Sequence, residues 1–322
     1  MKTRLLEALA ALALLLPAVA WAQSYPSRTV KIVVPFAAGG PADIYARAIG
    51  EKLQAALGQS FVVENKPGGG AVIGTVEVAK SAADGYTLLM MSNTHTVNES
   101  LIADKPYRLL KDLVPVAPVN YSDLVMVVHP SVPAQTLAEF LALAKAKPGS
   151  LNYASSGPGT PYHMAGELFK AMAGVDIVHV PYKGSSGART DMLGGQVQMM
   201  FDAITTMAPH VQAGKLRALG TSGKSRSNVL PGTPTVSEAG VPGYEAVIWL
   251  GIMAPAGTPR AIVDRLNTEI TKAANAAEMR AAWSRQGATA MSMSADEFGR
   301  FMREDIDKWS RIVKISGARP DR

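Results

Sequence analysis

Two turns rich in glycine and small residues stand out, Phe36-Ala37-Ala38-Gly39-Gly40 and Ser155-Ser156-Gly157-Pro158-Gly159-Thr160, each after a short apolar run and before a helical pattern. A helix N-terminus exposes backbone N–H groups without helical partners and roughly half a positive charge, so strand, glycine turn and helix together suit an anion. Ala37 to Gly40 would offer N–H groups, and Ser155 to Thr160 would add hydroxyls to theirs. Meeting across a cleft, two such tips would grasp a small carboxylate, each charge-assisted bond contributing about 1.5–3 kcal/mol before desolvation is subtracted. Three or four of them reach micromolar affinity, roughly 8 kcal/mol. A single glycine turn is also the ordinary connection in any α/β protein. Several such loops at strand C-terminal ends favour a site, because ligands of open α/β sheets bind there.

Residue types for covalent or metal chemistry are sparse. The chain has no cysteine, which excludes a disulfide framework, a thiol nucleophile, a cysteine zinc site and a lipid-bearing N-terminal cysteine. The five histidines, at 95, 129, 163, 179 and 210, form no HExxH or similar metal spacing. His163 and Glu167 lie four apart on one helix face, suited to a metal or acid–base work and equally to an ordinary helix-surface pair. His179 alternates with apolar residues and reads as a partly buried, satisfied histidine. His95, in the polar stretch Ser92-Asn93-Thr94-His95, reads as a ligand contact or a loop brace. Ser185 and Ser186 lack the nucleophile-elbow spacing. Asp43 and Asp202 form a conceivable split acid–base pair, although Asp43 has a sufficient role as a negative charge at a helix start. Lys183, after Tyr182 in a strand-end loop, either attracts an anion or is simply solvated.

Cofactor motifs fail. Gly157-Pro158-Gly159-Thr160-Pro161-Tyr162 starts like a dinucleotide fingerprint but has Tyr162 at the third glycine position, and Ala218 occupies the first glycine position of a phosphate loop ending Gly223-Lys224-Ser225. No cofactor and no metal are expected. The net charge of +6 is dispersed, with no basic stripe for a phosphate backbone, so nucleic acid is not an expected partner.

The elements that would position these loops follow an α/β pattern. Val30-Lys31-Ile32-Val33-Val34 reads as a buried strand, followed by a helix from Pro41 to a stop at Gly58. Phe61 to Asn65, the loop Lys66 to Gly70 and a helix from Ala71 to Lys80 repeat the unit, and Tyr86 to Met91 begins it again. This βαβα order predicts parallel sheets covered by helices. The pattern restarts at Asp123 with the strand Leu124 to Val128, a helix from Leu137 to Ala146, the strand Asn152 to Ala154 and a helix from Pro161 to Ala173. Further strands are expected at 177–180, 197–201, 217–221 and 247–254, the last long enough to cross between domains. Two helices close the chain, the second behind a capping box of Ser294 and Glu297.

At the start, Lys2 and Arg4, the apolar run Ala8 to Leu16, Pro17 and Ala20-Trp21-Ala22 read as a secretory signal over residues 1–22, cleaved before Gln23. The run is about half of the roughly 20 residues a membrane span needs. A mature chain of 322 − 22 = 300 residues would carry +5, having lost Lys2, Arg4 and Glu7. With Gln23 rather than cysteine after the cleavage point, the expected location is free in the periplasm.

The chain resembles the Bug-type solute receptors of tripartite tricarboxylate transporters. The stretches that carry the resemblance are YPSRTVKIVVPFAAGGPAD, NKPGGGAVIGT, DGYTLLMMSNTH, LNYASSGPGTPYHMAGELF, VPYKGSS, MMFD and WLGIMAPAGTP, which span nearly all of the mature chain. It implies an α/β, two-lobed periplasmic binding protein of the type II, Venus-flytrap kind, with mainly parallel sheets flanked by helices. Lobe 1 would be discontinuous, residues 23–122 and 248–322, and lobe 2 would be residues 123–247. The implied ligand is a small organic acid or amino acid, the implied partners are integral membrane transporter subunits, and a non-enzymatic monomer is expected. Carried across residue by residue, the ligand contacts are Phe36, Ala37, Gly40 and Asp43 at the first loop and Ser92, Thr94 and His95 at the third. Ser155, Ser156, Gly159 and Thr160 stand opposite, with Tyr182, Lys183, Gly184 and Asp202 as further candidates. After His95 the sequence Thr96-Val97-Asn98-Glu99 departs from the more apolar, proline-bearing run of many relatives, which leaves the contacts to the ligand's far end open. Two other readings remain at this stage: a periplasmic hydrolase or isomerase using Asp202, His95 or Lys183, and a ligand-sensing adaptor for a membrane sensor.

Overall fold

The computed structural model describes residues 25–316 and 318–319, so the signal expected over residues 1–22 lies outside the described residues. Strands β1 (Val30–Val34), β2 (Phe61–Asn65) and β3 (Thr87–Ser92) form a parallel ladder in the order β2-β1-β3. Helices α1 (Pro41–Leu57) and α2 (Val72–Ala79) connect them. Because strand side chains alternate between faces, Val30, Ile32 and Val34 pack with Tyr45, Ile49 and Leu53 of α1. Val33, between them, joins Leu89 and Met91 in a separate cluster. Gly58 ends α1 in the left-handed conformation, as its position after the last apolar repeat predicts.

Helix α3 (Thr94–Leu101) and the short α4 (Leu109–Asp112) lead into β4 (Leu113–Val128). The sequence predicts only the last five residues of this 16-residue strand. Proline is normally excluded from an inner strand, yet the ladder shifts register between Pro115 and Ala117 and between Pro118 and Asn120. Irregularities of this kind accommodate a residue without an N–H. From Leu113 to Asp123, β4 pairs antiparallel with β9 (Val247–Pro255), and from Leu124 onward it pairs with β7 (Met199–Ala203) and β8 (Arg217–Thr221) in a second sheet. There β5 (Asn152–Ser155) lies parallel to both β6 (Val178–Pro181) and β7.

The result is a two-lobed α/β fold with mixed sheets. The expected parallel pairing holds for β1, β2 and β3 and for β5, β6 and β7, whereas every ladder that includes β4 or β9 is antiparallel. One strand leaves the first sheet beside the strand that returns to it, and neighbours running out and back are antiparallel. The second sheet carries α5 (Leu137–Ala146), α6 (Pro161–Ala173), α7 (Ser185–Leu193) and α8 (Ile204–Gln212). The chain closes through three helices rather than two: α9 (Arg260–Asn275), α10 (Ala277–Arg285) and, after the short β10 (Ala288–Ala290) paired to β4, α11 (Ala295–Ser316). The capping box before α11 is present, with Ser294 N donating to Glu297 Oε2 at 2.8 Å and Glu297 N donating to Ser294 Oγ at 3.3 Å. Among the described residues no helix is long and apolar enough to cross a membrane.

Candidate functional site

The strand C-terminal ends of both sheets open on one narrow cleft. The β1–α1 connection supplies Phe36, Ala37, Gly40, Pro41 and Ala42, and β3 contributes Ser92 at its last position. From the second sheet come Ser156 after β5, Pro161 and Tyr162 at the start of α6, and Ser185 at the start of α7. Ile248 and Leu250 of β9 complete the lining. Among the described residues no charged side chain lines this cleft; its polar side chains are the hydroxyls of Ser92, Ser156, Ser185 and Tyr162.

The N-caps of α1 and α7 are Gly40 and Gly184, and neither supplies a side-chain acceptor to the first turn. The two termini approach each other, since a Cβ at Gly40 would lie 3.2 Å from Ser185 Oγ. By contrast α6 is capped in the ordinary way, its N-cap Thr160 accepting from His163 N. First-turn N–H groups of α1 and α7, unlike those of α6, therefore lack a side-chain cap where they converge, which favours an anion.

Asp43 stands behind the first loop. Its carboxylate accepts from Gly39 N at 3.0 Å and from Arg47 Nε at 3.0 Å, while Asn65 Nδ2 donates to Phe36 O at 3.1 Å. Burial alone would raise this carboxyl, but the bonds from Arg47, Gly39 and Asn65 outweigh it and hold the group below its usual value. Asp43 thus shapes the loop that lines the cleft.

The polar stretch read from sequence as a loop is instead the join of β3 to α3: Ser92 ends the strand, Asn93 is the N-cap, and Thr94 and His95 begin the helix. Ser92 Oγ donates to Thr94 Oγ1 at 2.9 Å, and His95 places Nδ1 3.0 Å from Ser92 O and Nε2 2.9 Å from Thr75 Oγ1. His95 is fully buried, and burial pushes it down to about 4 against the opposing bond from Ser92. It is therefore neutral at neutral pH, and it braces the turn while Ser92 faces the cleft.

In the second lobe Ser155 and Thr160 hold the loop in shape. Gly157 N donates to Ser155 Oγ at 3.1 Å, Thr160 Oγ1 donates to Gly157 O at 2.7 Å, and Gly159 N donates to His163 Nδ1 at 3.1 Å. Ser155 Oγ also lies 2.6 Å from His179 Nε2. Glu167 accepts from Tyr153 Oη at 2.6 Å and Lys170 Nζ at 2.9 Å, so it and His163 serve separate partners. Among the described residues no group of three or more His, Cys, Asp or Glu is arranged to hold a metal ion.

A second, outer chamber shares Phe36 and Ser156 with the cleft, so the two adjoin at a neck that these residues line. Thr160, Tyr182 and Lys183 line it, along with the turn Gly68-Gly69-Gly70. Lys183 is exposed and is the one charged residue of that lining. Asp202, at the penultimate position of β7, is fully buried; it accepts from Ala203 N at 2.7 Å and Arg189 Nη2 at 3.4 Å. Burial pushes its carboxyl up to about 6, against the Arg189 charge and the bond from Ala203.

Of the residues singled out from sequence, Phe36, Ala37, Gly40, Ser92 and Ser156 line the cleft, and Thr160, Tyr182 and Lys183 line the outer chamber. Asp43, Thr94, His95, Ser155, Gly159, Gly184 and Asp202 lie in neither lining. Sequence reasoning missed Tyr162, Ile248 and Leu250, which look like core positions, and passed over Ser185 for want of a catalytic spacing. Across the cleft Ser186 Oγ donates to Ala38 O at 2.8 Å, and Tyr45 Oη lies 3.0 Å from Thr205 Oγ1, so the lobes are closed on each other.

Comparison with known proteins supports the fold and identifies the family. The model of the tripartite tricarboxylate transporter family receptor matches residues 45–318. Protein BugT of Bordetella pertussis is 39% identical over 300 residues, covering 92% of each chain. Among solved structures, an R. palustris protein with adipate has a TM-score of 0.89 at 34% identity, covering 92% of this chain and 100% of that one. MatC of Rhodopseudomonas palustris with bound malate has a TM-score of 0.86 at 32% identity, covering 90% and 100%. The periplasmic binding protein BugD has a TM-score of 0.88 at 31% identity, covering 92% and 100%. The chain belongs to the tripartite tricarboxylate transporter receptor family, a family of periplasmic binding proteins.

Proposed function

We propose that this chain is a periplasmic receptor that captures a small carboxylate-containing metabolite between its lobes and delivers it to a membrane transporter. The observation that carries the reading is the convergence of two helix N-termini without side-chain caps on a hydroxyl-lined cleft that holds no charged side chain. Such a site compensates an anion with N–H dipoles and hydroxyls. Relatives whose structures contain adipate and malate support the ligand class, and the family's description supports the transporter as partner.

The placement of the titratable groups supports binding without turnover. Of the candidate residues for an enzyme, His95 and Asp202 are spent on Ser92, Thr75, Arg189 and Ala203 and lie outside the lining, and Lys183 lies in the outer chamber. Lobe 1 comprises residues 23–122 and 248–322 and lobe 2 residues 123–247, hinged near Asn120–Val125, where β4 passes between the sheets, and near Tyr244–Ile252. The protein acts as a monomer and is exported by its first 22 residues. Titration calorimetry on ligand-stripped protein against mono-, di- and tricarboxylates and amino acids tests the reading. Saturable, stoichiometric binding of an acid with no product formed is expected, and the absence of saturable binding to any of them overturns it.

A further inference from the structure

The cleft's contents say more about the ligand than that it is an acid. A Cβ at Gly184 would lie 2.6 Å from Ala37 Cβ and one at Gly40 3.2 Å from Ser185 Oγ, so the N-termini of α1 and α7 meet at one place. Their N–H groups therefore converge on one place and not on two separated ones. Away from that point the lining is Phe36, Pro41, Tyr162, Ile248 and Leu250, without a cation. An ionised group buried among such residues lacks compensation and is strongly disfavoured. Independently, the Ser156 side chain points to an occupant: it is 8% exposed, lines both chambers at the neck, and has no hydrogen-bond partner among the described residues. Its hydroxyl is therefore available to donate to, or accept from, a ligand seated in the cleft.

Resting on the receptor reading above, we infer that the site selects monoanionic acids with an uncharged, largely apolar body. The single carboxylate sits between the N-termini of α1 and α7, and the body extends past Ser156 toward the neck. A ligand with a second carboxylate must either bury it against Phe36, Ile248 and Leu250 or send it through the neck toward Lys183, an exposed side chain where an ion pair is screened by solvent.

Matched acids that differ only in the second carboxylate provide the test: hexanoate against adipate, and cyclohexanecarboxylate against cyclohexane-1,4-dicarboxylate, titrated into the ligand-stripped receptor and its Lys183→Gln variant. The monoacid of each pair is expected to bind at least tenfold more tightly, with Lys183→Gln changing its affinity by less than about twofold, since Lys183 lies beyond the neck. Equal or tighter binding of the diacids overturns the inference. A diacid preference lost in Lys183→Gln would further show that the second charge reaches the outer chamber. If neither member of either pair binds, nor any acid of the wider panel, the receptor reading itself fails, which is a separate outcome.

Discussion

Gly184→Ala tests whether closure of the lobes is what makes the site. The added Cβ would lie 2.6 Å from Ala37 Cβ and 3.0 Å from Ala37 N, across the cleft. Carbon atoms pack best at about 3.5–4.0 Å, so the lobes would have to stand roughly an ångström further apart there. Forcing one extra methyl group into such a contact costs about 1–3 kcal/mol, which corresponds to a loss of affinity of roughly 5- to 150-fold. Gly184 also has φ 139° and ψ 161°, a conformation nearly confined to glycine, which costs alanine about 1–3 kcal/mol. That strain is present in open and closed forms alike, so it lowers stability while leaving affinity nearly unchanged. Gly39→Ala separates the two effects, because Gly39 has φ 78° but no atom within 4 Å of an added Cβ. Calorimetric titration with the tightest-binding acid, paired with thermal unfolding, should show both variants destabilised and only Gly184→Ala weakened in binding. Unchanged affinity in Gly184→Ala, or an equal loss in Gly39→Ala, would refute the argument that Gly184 and Ala37 meet on closure.

Asp123 lies at the point where β4 passes between the sheets, and burial, then the neighbouring Glu245 charge, push its carboxyl up to about 6. The native state therefore holds this proton more tightly than the unfolded chain, where the carboxyl titrates near about 3.9, and the associated stability, present below that value, is lost as the pH rises through 6. Asp123→Asn is expected to raise stability by about 1–2 kcal/mol at pH 7.5, after allowance for solvent screening, and to change it little at pH 4. Chemical denaturation at both values checks this, and an equal gain at the two would count against it. Among the hydroxyls, Ser156→Ala is expected to weaken acid binding about three- to tenfold at unchanged stability, since Ser156 has no protein partner to lose. Ser155→Ala combined with Thr160→Ala should cost at least tenfold in affinity together with about 1–2 kcal/mol of stability, because those side chains fix Gly157 and cap α6. Calorimetry and unfolding of the same samples distinguish the two patterns, and a double variant with native affinity would move the site elsewhere.

Particular residues show why the loops were legible in the sequence and the lining was not. A strand that ends in a glycine turn before a helix announces itself locally, so β1, β2, β5, β8, α5 and α6 stand within a residue or so of where their sequences place them. The first eleven residues of β4 were hidden because their prolines argue against a strand, and only the pairing with β9, more than a hundred residues away, shows that the prolines sit at register shifts. The same distance effect decides the site. Ser155 and Ser156 are adjacent and chemically identical, yet the first is consumed by Gly157 and His179 while the second faces the cleft. Ile248 and Leu250 carry no polar signal at all, and they line the cleft because β9 lies between β3 and β4 in the first sheet, with its first residues beside the point where β4 passes to the second. Sequence identifies which loops present N–H groups to an anion. The selection among anions rests on side chains such as Tyr162, Ile248 and Leu250, whose roles exist only once the two lobes have come together.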